Sequence, residues 1–223
     1  MKLSDSDREL VLLLIFTLLI CVPVHLFYAL NDIYQWVYIP GLYDDAVNKS
    51  PMKPRPRTNR ANFLMKDGHL DEALTEFQNV IALSFQPHLP EIEQRRARQF
   101  GRANVIAILM QTNQWQSAMD EAAKLWREYP GHPAAGVTIA FIANAGGATD
   151  YALQILDLVE AARNRNEYTW FHVEGEIHLY RGDAYRIQGD CVKAEAEYAI
   201  ARRESPWMQD IPACVPPEPA MSY

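Results

Sequence analysis

From Leu10 to Leu30 the chain runs for 21 residues, LVLLLIFTLLICVPVHLFYAL, without one Asp, Glu, Lys or Arg. At about 1.5 Å rise per residue, a helix of that length spans roughly 30 Å, the hydrocarbon thickness of a bilayer. A membrane-spanning helix buries such a stretch and satisfies its backbone at the same time. A cleavable signal peptide would have a shorter apolar run, a basic start and small residues at its exit. Here the exit is Val24-His25-Leu26-Phe27-Tyr28, which is bulky. The sequence therefore predicts an uncleaved anchor over residues 10–30 behind a tail of residues 1–9. Pro23 allows a kink near its far end, and His25 reads as an interfacial anchor rather than a functional group.

Residues 31–53 read as an amphipathic juxtamembrane linker. Tyr34, Trp36, Tyr38 and Tyr43 stand among Ile33, Val37, Ile39 and Leu42, and Trp and Tyr favour the membrane–water boundary. The stretch is expected to lie along that boundary or pack on a membrane subunit; a short core helix is the alternative. Pro40-Gly41 is expected to stop a helix. The prolines of KSPMKPRPR mark a linker, and Lys53, Arg55, Arg57 and Arg60 read as solvated, with contact to anionic lipid as the other reading. Lys2 and Arg8 flank the apolar run closely, while only Lys49 lies within about 20 residues after it, which favours Met1 in the cytoplasm and the remainder outside.

Beyond Arg60 the pattern is helical almost throughout, and one stretch organises it: Gly175 to Pro206, GEIHLYRGDAYRIQGDCVKAEAEYAIARRESP. Small Gly182 and Ala194, bulky Tyr185 and Tyr198, Ala201 and the terminating Pro206 sit where they do in a tetratricopeptide repeat (TPR), and the stretch resembles one. His178 and Arg181 depart from the family's usual Trp and Leu. Stepping back from Ala194 by 42, 34 and 45 positions reaches Ala152, Ala118 and Ala73, which implies three further repeats, with Gly68 and Gly146-Gly147 at inter-helix turns. The Ala152 unit matches least well. The resemblance covers residues 54–206 and implies an all-α fold: a superhelix of about four helix–turn–helix repeats behind a single transmembrane helix.

Around this frame, Glu91 to Arg102 is expected to extend the second repeat forwards with a solvated basic face. Glu167 to Gln188 reads as one long helix. The Pro-rich tail, residues 207–223, is expected to drape over the last helix pair, with Trp207 and Ile211 covering apolar surface. Cys191 and Cys214 could meet there and pair if the domain is extracytoplasmic.

Composition excludes several classes. With 21 basic and 28 acidic residues the net charge is −7, not the basic signature of a nucleic-acid binder. Three cysteines form neither a disulfide framework nor a zinc spacing. No phosphate loop, nucleophile elbow or His-Glu-x-x-His appears. The densest ligand-type group, His172, Glu174, Glu176 and His178, makes two i,i+4 pairs on different helix faces and lacks further ligands. The reading is therefore no enzyme, no metal, no cofactor and no small-molecule substrate.

What the resemblance implies instead is a concave groove lined by the first helix of each repeat. Its inward positions carry over to Asn62 and Lys66 in repeat one, Phe100 and Met110 in repeat two, Phe141 and Asn144 in repeat three, and Glu176, Asp183 and Arg186 in repeat four. The basic residues by which some TPRs clamp a carboxylate are replaced by Thr58, Ala134 and Thr138, so an apolar peptide or helix with polar ends is the expected occupant. Exposed Phe100, Met110 and Phe141 call for a cover, whether a partner segment or the chain's own linker or tail. The implied role is a membrane-tethered adaptor of the bacterial inner membrane, repeats in the periplasm, holding a partner protein during assembly of an envelope or respiratory-type complex. A fixed structural subunit of a membrane complex is the alternative.

Overall fold

The computed structural model describes residues 22, 24, 25, 41–168, 171 and 173–215, and every regular element among them is helical. The predicted tail 1–9, nearly all of the anchor 10–30 and residues 31–40 lie outside the described residues; among the described ones no helix is long and apolar enough to cross a membrane. After a helical segment over residues 41–49 come α1 (Pro54–Lys66), α2 (Leu70–Leu83), α3 (Glu91–Gln111), α4 (Trp115–Glu128), α5 (Pro133–Ala145), α6 (Thr149–Asn164), α7 (Glu174–Ile187) and α8 (Cys191–Glu204). Each packs on the next, and the odd-numbered helices also touch in series, α1 on α3, α3 on α5 and α5 on α7. The odd helices thus form one continuous layer and the even helices a second, looser one, in which Arg163 of α6 reaches Glu204 of α8 at 3.8 Å.

The local cause repeats. Gly68, Asn113, Gly147 and Gly189 turn the chain between the helices of each pair with φ of 85°, 59°, 77° and 81°. Glycine, and Asn next, enters that left-handed region at least cost. Five residues on stand Ala73, Ala118, Ala152 and Ala194, each 0% exposed, where a larger side chain would push the helices apart. Phe77, Ala122, Leu156 and Tyr198 follow four residues later, then Val80, Leu125, Val159 and Ala201, all buried. Each large side chain in this set contributes about 1.5–3 kcal/mol by leaving water. The Ala152 unit, least regular in sequence, forms a helix pair like the others.

Gly182 is the glycine that close approach requires: a Cβ there would enter the Tyr198 ring. The Tyr198 hydroxyl donates to Asp183 at 2.9 Å and accepts from Arg186 Nε at 3.2 Å. The two departures from the repeat pattern tie α7 to its neighbours. Arg181, 8% exposed, reaches Asp157 and Glu160 of α6 at 2.6 and 2.8 Å, and its hydrogen bond holds the Glu160 carboxyl below its usual pKa. His178 Nδ1 lies 2.6 Å from Glu197 of α8.

Several expectations need correction. The stretch from Glu167 to Gln188 is not one helix. Asn166 and Tyr168 take φ of 56° and 57°, and α7 starts only at Glu174. Tertiary packing overrides the helical pattern: Tyr168 is buried, its hydroxyl donates to the Pro130 carbonyl at 3.3 Å, and its ring and that of Phe171 close on His132. Residues 41–49, read as linker, pack on α1 through buried Val47, a Tyr43–Phe63 ring contact at 5.7 Å and an Asp44–Arg60 ion pair at 2.7 Å. Arg57 and Arg60 are not simply solvated; both hold Glu76, itself 7% exposed. The forward extension of α3 is present from Glu91, but Arg98 and Arg102 are tied to Glu128 and Glu121 of α4. The tail does run along α8, where Arg202 donates to the Ile211 carbonyl and the Cys214 amide to Glu195, and Cys191 and Cys214 are joined by a disulfide. Trp207, expected to cover apolar surface, is instead left largely in solvent, 74% exposed.

Candidate functional site: the face of the odd-numbered helices

All of the groove residues carried over by the resemblance fall on odd-numbered helices. On α1, Asn62 is half-buried and Lys66 exposed in the last turn. Met110 of α3 packs against two core clusters at once. Phe100 stacks on Phe171 at 5.2 Å between ring centroids, so the α6–α7 connection covers it. The cover at this position is therefore none of those expected, neither a partner segment nor the linker of residues 31–53 nor the tail of residues 207–223.

Phe141 of α5 is half-buried and lies between two rings, Trp115 of α4 at 5.7 Å and Tyr180 of α7 at 5.6 Å. The three rings form one strip across three helix pairs, with Trp115 still 43% exposed. Asn144, one turn on from Phe141, is 6% exposed; its Nδ2 donates to the Tyr180 carbonyl at 2.8 Å, while Oδ1 has no partner. Asp183 and Arg186 face each other at 3.4 Å and grip the Tyr198 hydroxyl. Phe141 and Asn144 therefore meet at one place, Asp183 and Arg186 form a second polar group beside it, and Asn62 and Lys66 stand on the far flank.

Electrostatics mark the same place. Burial, with the negative charges of Glu176 and Asp183, pushes the Tyr180 phenol up to about 12. Burial also raises the Glu176 carboxyl, with the nearby Glu174 charge adding to it. Sequence reading missed Trp115 and Tyr180 because neither falls at an inward position of the repeat. The available signal was an aromatic placed directly after the Asn113 turn, and a second one helical turn beyond Glu176.

Among the described residues, clefts also lie elsewhere, one of about 350 Å³ between the end of α7 and residues 212–215. Another, of about 470 Å³, has an apolar floor of Leu74, Ile81, Val105 and Leu109 and a rim of Arg102 and Glu121. A further one, about 370 Å³, lies against the α6–α7 connection between Val159, Tyr168, Phe171 and Ile177. Of the ligand-type group in the sequence, His172 lies outside the described residues, and His178 is engaged with Glu197. Among the described residues no three His, Cys, Asp or Glu side chains are grouped to hold a metal ion. No model of a known protein family matches the chain, and no curated protein matches it.

Proposed function

We propose that this chain is a membrane-tethered adaptor: a TPR superhelix of four repeats whose odd-numbered helices hold a segment of a partner protein during assembly or maturation of an envelope or respiratory-type complex. The observation that carries the reading is the strip in which Phe141 of α5 and Tyr180 of α7 continue onto Trp115 of α4, which leaves aromatic surface unburied at the edge of the odd-helix layer. A spacer would leave polar groups there, because exposed aromatic area is unfavourable by about 25 cal/mol per Å². The repeat class is supported by the recurring left-handed turn residue and the buried alanine five positions after it.

The tether is the uncharged run of residues 10–30. Placement in the bacterial inner membrane with the repeats in the periplasm follows from the flanking Lys2 and Arg8, and the Cys191–Cys214 disulfide supports it, since such bonds persist in oxidising compartments. A second reading, a fixed structural subunit of a membrane complex, draws on the docking of residues 41–49 against α1. Extraction in mild detergent separates the two: a structural subunit copurifies in stoichiometric amount, an adaptor does not.

The adaptor reading is tested by placing a photo-crosslinking amino acid at Phe141 or, as a control, at exposed Asn79 of α2 in native membranes. A discrete protein adduct from position 141 and none from 79 is expected. Adducts of equal yield from both positions, or from neither, refute it.

A further inference from the structure

We propose that the aromatic strip receives a cationic side chain, Lys or Arg, of the bound protein segment, with Glu176 as its counter-ion; the proposal rests on the adaptor reading above and names the chemistry of the partner.

Among the described residues, every Asp or Glu that is buried or half-buried has a Lys, Arg or His partner, except Glu176. Glu76 holds two arginines, Glu121 is shared by Arg102 and Lys124, and Glu160 faces Arg181. Glu176 makes no ion pair with another described residue. Taking a carboxylate out of water without a partner is costly, and this one is desolvated enough to raise its pKa. A fold that pairs its other half-buried acids and leaves one open has left room for a charge from outside.

The surroundings of Glu176 are those a cation favours. Glu176 and Tyr180 are one helical turn apart on the same face of α7, and the carboxylate's field reaches the Tyr180 phenol. Tyr180 then leads to Phe141 and Trp115. Ring faces attract Lys and Arg, and a planar guanidinium also stacks on them. Elsewhere in the protein this contact is already made internally, by Arg95 over Tyr129, Arg98 over Phe85 and Lys193 over Tyr185, at 5.3–5.4 Å. None of these cations lies on the strip. Asn144 Oδ1, buried without a partner beside Tyr180, adds a further acceptor and no donor.

The arrangement also selects against alternatives. An anionic segment would be repelled by Glu176, and a neutral one would bury it unpaired. The net charge of −7 favours encounter with basic partners over long range.

The test uses the full chain in detergent micelles, labelled with 5-fluorotryptophan, following the Trp115 resonance assigned through Trp115→Phe. The probes are acetyl-Leu-Arg-Leu-amide and the same peptide with neutral citrulline in place of Arg. The Arg peptide is expected to bind at least about fivefold more tightly, the scale of one cation–π contact with a partly desolvated charge. Glu176→Gln removes the counter-ion and leaves the rings, so it should lower the ratio at least about twofold without weakening the citrulline peptide, whereas Glu72→Gln, on the exposed face of α2, should leave the ratio unchanged. Equal affinity of the two peptides, a ratio that survives Glu176→Gln, or no response at Trp115 overturns the proposal. The adaptor reading fails separately, by loss of the adduct at position 141.

Discussion

His132 provides the sharpest quantitative prediction. It sits at the start of α5, 0% exposed, with Tyr168 and Phe171 rings 5.0 and 4.4 Å away and no hydrogen-bond partner on either ring nitrogen. Burial alone pushes its pKa down to about 3, against about 6.5 in the unfolded chain. The folded-state value is the depressed one, so the unfolded state takes up the proton first. Stability from this group is complete above about pH 6.5 and is lost as pH falls from there towards 3. At pH 5 the unfolded histidine has gained about 1.5 units of protonation free energy that the folded one has not, or about 2 kcal/mol at 1.36 kcal/mol per unit. Replacing the imidazole by a side chain of similar volume, His132→Leu, removes that dependence, and it removes an unsatisfied buried N–H worth about 1–3 kcal/mol. Urea unfolding of the full chain in micelles, wild type and variant, at pH 7.5 and pH 5 isolates the effect, because other titrating groups cancel in the difference. The stability gap between variant and wild type should widen by about 2 kcal/mol at the lower pH. A gap that stays constant would mean that the ring is hydrated or bonded, and that the Tyr168–Phe171 closure is looser than described.

Other perturbations follow from the same packing. Gly182→Ala should lower stability by about 1–3 kcal/mol, read by thermal unfolding, because its methyl group meets the Tyr198 ring. Denatured, unreduced protein should titrate one thiol and reduced protein three, since Cys191 and Cys214 are joined and the chain has three cysteines; three thiols without reductant would refute the bond. Reduction should lower stability by about 3 kcal/mol, the loop-closure value for a separation of 23 residues. A C-terminal reporter that works only outside the cytoplasm should be active, and activity of a cytoplasm-only reporter there would reverse the proposed orientation.

Much of the helix order was legible because the same local requirement recurs. Gly68, Gly147 and Gly189 and the alanine five positions after each mark three turns, and Asn113, the next residue type to tolerate a left-handed backbone, marks the fourth. The break before α7 was not legible. Residues 167–173 contain no Gly or Pro, and Tyr168 and Phe171 are engaged by distant partners, His132, the Pro130 carbonyl and Phe100, rather than by local signals. The site was legible as a face and not as a set of partners. Register puts Phe141, Asn144, Asp183 and Arg186 on odd helices. It does not show that Asn144 is held by the Tyr180 carbonyl, that Asp183 and Arg186 are occupied by Tyr198, or that Phe171 lies over Phe100. Those contacts join residues 12 to 71 positions apart in the chain.

The claim that the odd-helix face captures a partner is tested most directly by Phe141→Ala, with affinity for the protein crosslinked at position 141 and thermal stability measured on the same preparation. Affinity should fall by more than about 1 kcal/mol, at least about fivefold, as for an anchor at the centre of an interface. The melting temperature should move little, because Phe141 touches Trp115 and Tyr180 at the half-open surface rather than the buried seam between helices. Unchanged affinity, or unfolding of the domain with no separate loss of capture, would contradict the account.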